Sequence, residues 1–94
     1  MPERDVLFPL GGLVATPGAL QALDTSGESP IIYLTRHLHG DWGDLTEDDK
    51  QAYTDAVATQ TRILSAYHLK DGTKIWIITE ADRSSTCILL PSEY

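Results

Sequence analysis

The sequence predicts an α+β domain in which about three short helices pack on a three- to four-stranded antiparallel sheet. Three observations predict it. Thr16-Pro17 and Ser29-Pro30 each set a capping hydroxyl before a proline, and each is followed by apolar residues at helical spacing. Two β-rich runs, residues 62–69 and 74–80, flank Asp71-Gly72, a dipeptide suited to a type I′ hairpin. A third β-rich run, residues 86–90, is stopped by Pro91. Helix signals first and strand signals after them is the order of a helical layer followed by an antiparallel meander.

Taken in order, residues 1–6 are polar and expected to be loose. Pro9 and Gly11-Gly12 interrupt the apolar stretch that follows, which leaves a short edge strand centred on Leu13, Val14 and Ala15. The first helix starts at Pro17, carries Ala19, Leu20, Ala22 and Leu23 as its stripe, and ends before Gly27. In the second helix, Ile31, Leu34 and Leu38 lie at spacings of three and four, with Tyr33 beside them and Gly40 as the stop. A tight loop over residues 40–45 leads to a third helix. Thr46 caps it, and Glu47, Asp48 and Asp49 fall where the helix dipole favours negative charge. That helix should run to about Thr59 with Ala52, Ala56 and Val57 turned inward. If Asp71 and Gly72 are the whole hairpin loop, Tyr67 pairs across from Trp76 and Ala66 from Ile77. One sheet face then carries Ile63, Tyr67, Leu69, Trp76 and Ile78; the other carries Leu64, Ala66, Ile75 and Ile77. Both are too apolar for a sheet with one wetted side, so either helices cover one face and the N-terminal segment the other, or the aromatic face is a contact surface.

Ninety-four residues make one domain, residues 1–94. An apolar share of 41% is that of a globular chain, which argues against disorder. No apolar run approaches the roughly 20 residues of a membrane span, and Met1-Pro2-Glu3-Arg4-Asp5 opens no export signal. A single cysteine, Cys87, fits a reducing compartment, so the expected location is the cytoplasm. The net charge of −7, with seven scattered basic residues, argues against direct nucleic-acid binding. Negative charge suits solubility or a basic patch on a partner.

Residues that could carry chemistry have plainer readings. His37 and His39 lie two apart and so face different sides of a helix; we read them as solvated histidines at a helix end, not as a metal pair. His68 reads as a partly buried strand residue opposite Ile75. Cys87 has no basic partner in sequence and apolar neighbours, which points to a packed, inert thiol. Glu80, Asp82 and Arg83 could form an acid–base group on the last hairpin loop, but a turn-stabilising ion pair accounts for them. Gly11-Gly12 lacks the spacing of a phosphate loop. No catalytic residue, metal site or cofactor is therefore expected. Asp41, Asp44, Glu47, Asp48, Asp49 and Asp55 form a dense acidic stretch, readable as a phosphate-mimicking surface or as a capped, solvated helix start. Trp42, between Gly-Asp and Gly-Asp, is either a plug closing the core or an exposed anchor for a partner.

Three stretches taken together resemble a known family. They are Val14-Ala15-Thr16-Pro17-Gly18-Ala19-Leu20, His39-Gly40-Asp41-Trp42-Gly43-Asp44-Leu45, and Arg62-Ile63-Leu64-Ser65-Ala66-Tyr67 leading into Ile75-Trp76-Ile77-Ile78-Thr79-Glu80-Ala81-Asp82-Arg83-Ser84. In that order they are similar to small uncharacterised bacterial proteins carried on plasmids and integrated elements, some labelled as restriction–modification or plasmid-related. The resemblance covers nearly the whole chain. It implies a bacterial origin, a cytoplasmic location and no established activity, so it carries over no catalytic residues.

One departure is local. The family pattern has an asparagine near position 53 and a glycine near position 60, where this chain has Tyr53 and Gln60. On a helix Tyr53, Val57 and Gln60 share a face, and a tyrosine among small residues suits a binding patch. Adaptation of this helix to dock a protein, redesign of a natural scaffold as a binder, and ordinary drift all fit. The functional expectation is a non-enzymatic protein-interaction domain with a protein partner and no membrane. Its candidate contact residues are Tyr53, Val57, Gln60, Trp42, Tyr67 and Trp76. The alternatives are an antidefence protein of a mobile element, acting by binding or acidic mimicry, and a small enzyme using Glu80 and Asp82.

Overall fold

The computed structural model describes residues 6–94. The expected looseness of residues 1–6 thus falls, Val6 aside, outside the described residues. The elements run β1 (Gly12–Ala15), α1 (Pro17–Ser26), α2 (Pro30–Leu38), α3 (Glu47–Thr59), β2 (Ile63–His68), β3 (Lys74–Thr79), β4 (Ser85–Leu89) and a single 3-10 turn, Pro91–Glu93. The helices begin where local chemistry puts them. Thr16 Oγ1 accepts from the amide of Ala19, Ser29 Oγ from Ile31 and Thr46 Oγ1 from Asp49, each satisfying an amide with no partner inside its helix. Gly27 ends α1 and Gln60 ends α3, both in the left-handed conformation.

The strand order is β1-β4-β3-β2. β2, β3 and β4 form the antiparallel meander, but β1 pairs parallel with β4, Gly12 opposite Ser85 and Ala15 opposite Ile88. The sheet is therefore mixed, not antiparallel throughout. The reason is topological. Three helices and a hairpin separate β1 from β4, so β1 can return to the sheet in either direction, and no tight turn forces the antiparallel one. A further parallel bridge, Gly43 to Ala66, covers part of the free edge of β2. There the amide of Ala66 donates to Trp42 O at 3.0 Å, and Asp44 N donates to Ala66 O at 2.7 Å. Gly43 has φ +78°, and a Cβ there would lie 1.9 Å from Ala66 O, so only glycine permits this approach.

The hairpin register also differs from expectation. Ala66 faces Trp76 and Tyr67 faces Ile75, one residue away from the pairing that a two-residue loop gives. The turn is a three-residue loop instead. Gly72 N donates to Leu69 O, Leu69 N donates to Thr73 O, and Gly72 sits at φ +91° as the left-handed bulge residue. A slip of one residue moves every β3 side chain to the opposite face. The inner face consequently carries Ile63, Ser65, Tyr67, Leu69, Ile75, Ile77 and Thr79, joined by Thr86 and Ile88 of β4. Trp76 and Ile78 lie on the outer face with Leu64, Ala66 and His68.

The helices pack on the inner face. Ala19 and Leu23 of α1 and Tyr33 and Leu34 of α2 cluster with Tyr67, Leu69, Ile75, Ile77 and Ile88. A second cluster joins Phe8, Trp42, Ala56 of α3 and Ile63, with Tyr53, Val57 and Leu38 against it. Each fully buried isoleucine contributes on the order of 2 kcal/mol by leaving water. Three residues expected in inward stripes point outward: Leu20, Ile31 and Ala52 are exposed. The stripe of α2 runs instead through Tyr33, Leu34 and His37.

Candidate functional site

Two features stand out: a polar chain inside the fold and an apolar sheet face outside it. The polar chain begins at His37, expected as a solvated residue but fully buried. Its spacing from Tyr33 puts it on the inward side of α2, over three hydroxyl residues that share the inner sheet face. Nδ1 bonds Ser65 Oγ, and Nε2 lies 2.9 Å from Thr79 Oγ1. Thr79 Oγ1 lies 2.7 Å from Thr86 Oγ1, which donates to Leu10 O at 2.8 Å. The last bond sets the direction of the rest. Thr86 spends its proton on Leu10, so Thr79 donates to Thr86 and must accept from Nε2–H. His37 is then a neutral imidazole whose Nδ1 accepts from Ser65. Burial pushes the pKa of His37 down to about 4, consistent with the neutral form. Among the described residues no buried side-chain nitrogen or oxygen lacks a hydrogen-bond partner. The Ser65–His37 pair has the bonding of a nucleophile and its base, but Ser65 and His37 are both fully buried, so no substrate reaches them in this conformation.

The outer sheet face has two cross-strand rows. One runs Val14, Cys87, Ile78 and Leu64, and the other Leu89, Trp76 and Ala66. Ile78, Leu89 and Ala66 are buried, Leu64, Trp76 and Cys87 are half-buried, and Val14 is 54% exposed. Tyr94 packs edge-on against Trp76, with ring centroids 5.6 Å apart. Arg62 donates to Tyr94 Oη at 2.6 Å and pairs with Glu80 at 3.4 Å. Burial raises the pKa of the Cys87 thiol, with Glu93 and Glu80 adding to the shift, so the thiol stays protonated and unreactive at neutral pH.

The six candidate contact residues separate. Trp42 is buried with its Nε1–H donating to Thr54 at 3.0 Å; it plugs the core and presents no anchor. Tyr67 is fully buried beneath Arg36, its hydroxyl donating to Asp41 O at 2.6 Å, so it offers no surface either. Tyr53 and Val57 are half-buried because their face of α3 packs on the second cluster. Residue spacing finds such a face without saying whether it meets the core or a partner. Gln60 is exposed at the helix end, and Trp76 lies on the outer sheet face. Glu80, Asp82 and Arg83 each have local structural work. Asp82 Oδ1 accepts from Ser84 N at 3.0 Å, and that turn lowers its pKa. Arg83 donates to Thr61 O, Glu80 O and Ala56 O.

Surface pairs account for other charges. Arg36 and Asp41 lie 2.7 Å apart, and Arg36 is the first cause holding the Asp41 carboxyl below its usual range. His68 faces Lys74, not Ile75, and its exposed ring meets Asp44 at 2.7 Å. Glu93 accepts from Thr16 Oγ1 and Gly18 N, filling the start of α1 from the far end of the chain. The acidic side chains of Glu47, Asp48 and Asp49 are exposed in the first turn of α3. Among the described residues no three His, Cys, Asp or Glu side chains converge as a metal site would require. Nor is any described helix long and apolar enough to cross a membrane. Comparison of the chain with models of protein families, with curated proteins and with solved structures finds no match.

Proposed function

We propose that the chain is a protein-interaction domain that docks a partner through the outer face of its sheet. The observation that carries this reading is the one-sided layering. The helices' apolar contacts go to the inner face, while among the described residues the rows through Cys87 and Trp76 belong to neither helix-packed cluster and Tyr94 packs on Trp76. A half-buried tryptophan flanked by aliphatic side chains is the composition of an interface centre. With a net charge of −7, the partner's complementary rim is basic. The α3 face is a weaker choice, because Tyr53 and Val57 already pack on the chain's own core.

The test begins with affinity capture from a bacterial lysate, followed by titration of the purified partner against variants. Val14→Lys and Leu64→Lys, both on the outer face, should weaken binding at least tenfold while circular dichroism stays unchanged. Glu47→Gln combined with Asp48→Asn and Asp49→Asn should leave affinity within about twofold at physiological salt. The reverse pattern overturns the sheet-face reading and supports acidic mimicry.

A further inference from the structure

We propose that residues 7–10 form a strap latched by the buried hydroxyl–imidazole chain, and that protonation of His37 releases the strap while the helices and sheet stay folded. The strap belongs to no helix or strand. It is held at three points: Leu7 N donates to Leu38 O at 2.9 Å, the Phe8 ring is buried, and Leu10 O accepts from Thr86 Oγ1. Phe8 meets the His37 ring edge-on at 5.2 Å and stacks on Trp42 at 6.3 Å. The same imidazole that touches Phe8 therefore starts the hydrogen-bond chain that ends on Leu10.

Protonation upsets this arrangement in two ways. Nδ1 becomes a donor and can no longer accept from Ser65, and the ring gains a charge in a site lined by hydroxyls and aromatic rings. Among the described residues no carboxylate bonds His37 to compensate that charge. From α2 the neighbouring charge is Arg36, engaged with Asp41; from the last hairpin loop it is Arg83, whose guanidinium lies 5.5 Å from the Phe8 ring centroid. Of the groups on β2 and β3, Tyr67 shares the inner face, whereas His68, paired with Asp44 of the loop before α3, and Lys74 lie on the outer face. Among the described residues serine, threonine and the two rings thus make up the immediate surroundings, and water is what can stabilise the cation. Of the two aromatic covers, Trp42 is pinned by Thr54 and by the backbone pairing to β2, so the strap is the cover that yields.

The sign follows from proton binding. Closed, His37 has its pKa lowered to about 4 by burial; open to water, it returns towards 6.5. The open form binds more protons between those values, so falling pH favours opening, and the opening constant rises about tenfold per pH unit across that window.

Hydrogen exchange on the intact chain tests this, with rates corrected for the intrinsic pH dependence. The Leu7 amide reports the strap, and the Ile77 amide in the central strand reports global unfolding. The expected result is a Leu7 opening constant at least 100-fold above that of Ile77 at pH 7, rising about tenfold per unit from pH 6.5 towards 4. Equal opening constants for the two amides overturn the proposal, since the strap would then leave only with the whole fold. A Leu7 opening constant flat in pH overturns it as well. Thr86→Val, which removes the latch without touching the charge, should raise Leu7 opening at pH 7 and keep its slope; unchanged opening sinks the latch. The wild-type comparison decides the matter even if that variant fails to fold.

Discussion

His37 Nε2 lies 2.9 Å from the hydroxyl of Thr79, and the direction of that bond is imposed by groups further along. Thr79 sends its proton to Thr86, which sends its own to Leu10 O, so the imidazole can only donate at Nε2. One tautomer is therefore selected by a backbone carbonyl three bonds away. A chain of hydrogen bonds all pointing one way is also mutually polarising, which favours its being made or lost as a unit.

In nitrogen-detected NMR, His37 should show the Nε2–H neutral tautomer throughout pH 5.5–8, with Nδ1 carrying no proton. A signal from the Nδ1–H tautomer would mean that the chain runs in the opposite direction.

Folding stability should fall as the pH drops through the His37 window. The unfolded chain takes up a proton near pH 6.5, and the folded chain resists it down to about 4. The contribution is complete above 6.5 and is lost progressively towards 4, amounting to about 3 kcal/mol in all. Urea denaturation at pH 7 and pH 4.5 measures the loss. A profile flat from pH 7 to 5 contradicts the buried neutral histidine. At lower pH, Asp41 and Asp44 add a loss of the same sign, because their partners Arg36 and His68 hold their carboxyl pKa values low.

Thr79→Val keeps the shape of the side chain but leaves Nε2–H without an acceptor. It should lower the unfolding free energy by about 1–3 kcal/mol, whereas Thr79→Ser, which retains the hydroxyl, should cost about half as much. A Thr79→Val variant as stable as the parent would show that the hydrogen bond contributes nothing.

Two glycines with positive φ should respond very differently to alanine. At Gly72 no atom lies within 4 Å of an added Cβ, so Gly72→Ala meets only the left-handed conformation and should cost about 1–2 kcal/mol. At Gly43 the added Cβ also collides with Ala66 O, so Gly43→Ala should cost on the order of 4 kcal/mol or prevent folding. Thermal denaturation of the pair separates conformational strain from collision.

The helix starts and the β-rich runs were legible because each depends on chemistry within a few residues. Thr16, Ser29 and Thr46 cap the helices that their sequences announce. The hairpin was legible as a turn but not in register, since Asp71-Gly72 suits both a two-residue loop and a three-residue loop with a bulge. That single slip hid the buried site. In the slipped register Thr79 falls on the face opposite Ser65, whereas the observed pairing sets both on the inner face under His37. A signal was present in α2: His37 follows Tyr33 by four residues, in line with the buried stripe. Reading histidine as polar masked it. The parallel pairing of β1 was beyond local pattern, because nothing in Gly12–Ala15 distinguishes the two directions. Tyr53 and Val57 share a side of α3 as their spacing implies, but Gln60 lies beyond the helix in the left-handed conformation, and the half-burial of the other two against the Phe8–Trp42 cluster is a tertiary fact.

The parallel pairing of β1 with β4 has a consequence for the order in which the fold can be assembled. Leu10 and its hydrogen-bond partner Thr86 are 76 positions apart, so the closing contacts span most of the chain and give the domain a high contact order at its sheet edge. During synthesis from the N-terminus, β1 must wait for three helices and the β2–β3 hairpin before its partner strand exists. Throughout that interval Leu13 and Val14 stand as an unpaired apolar segment. Pairing of β1 therefore cannot precede the synthesis of β4.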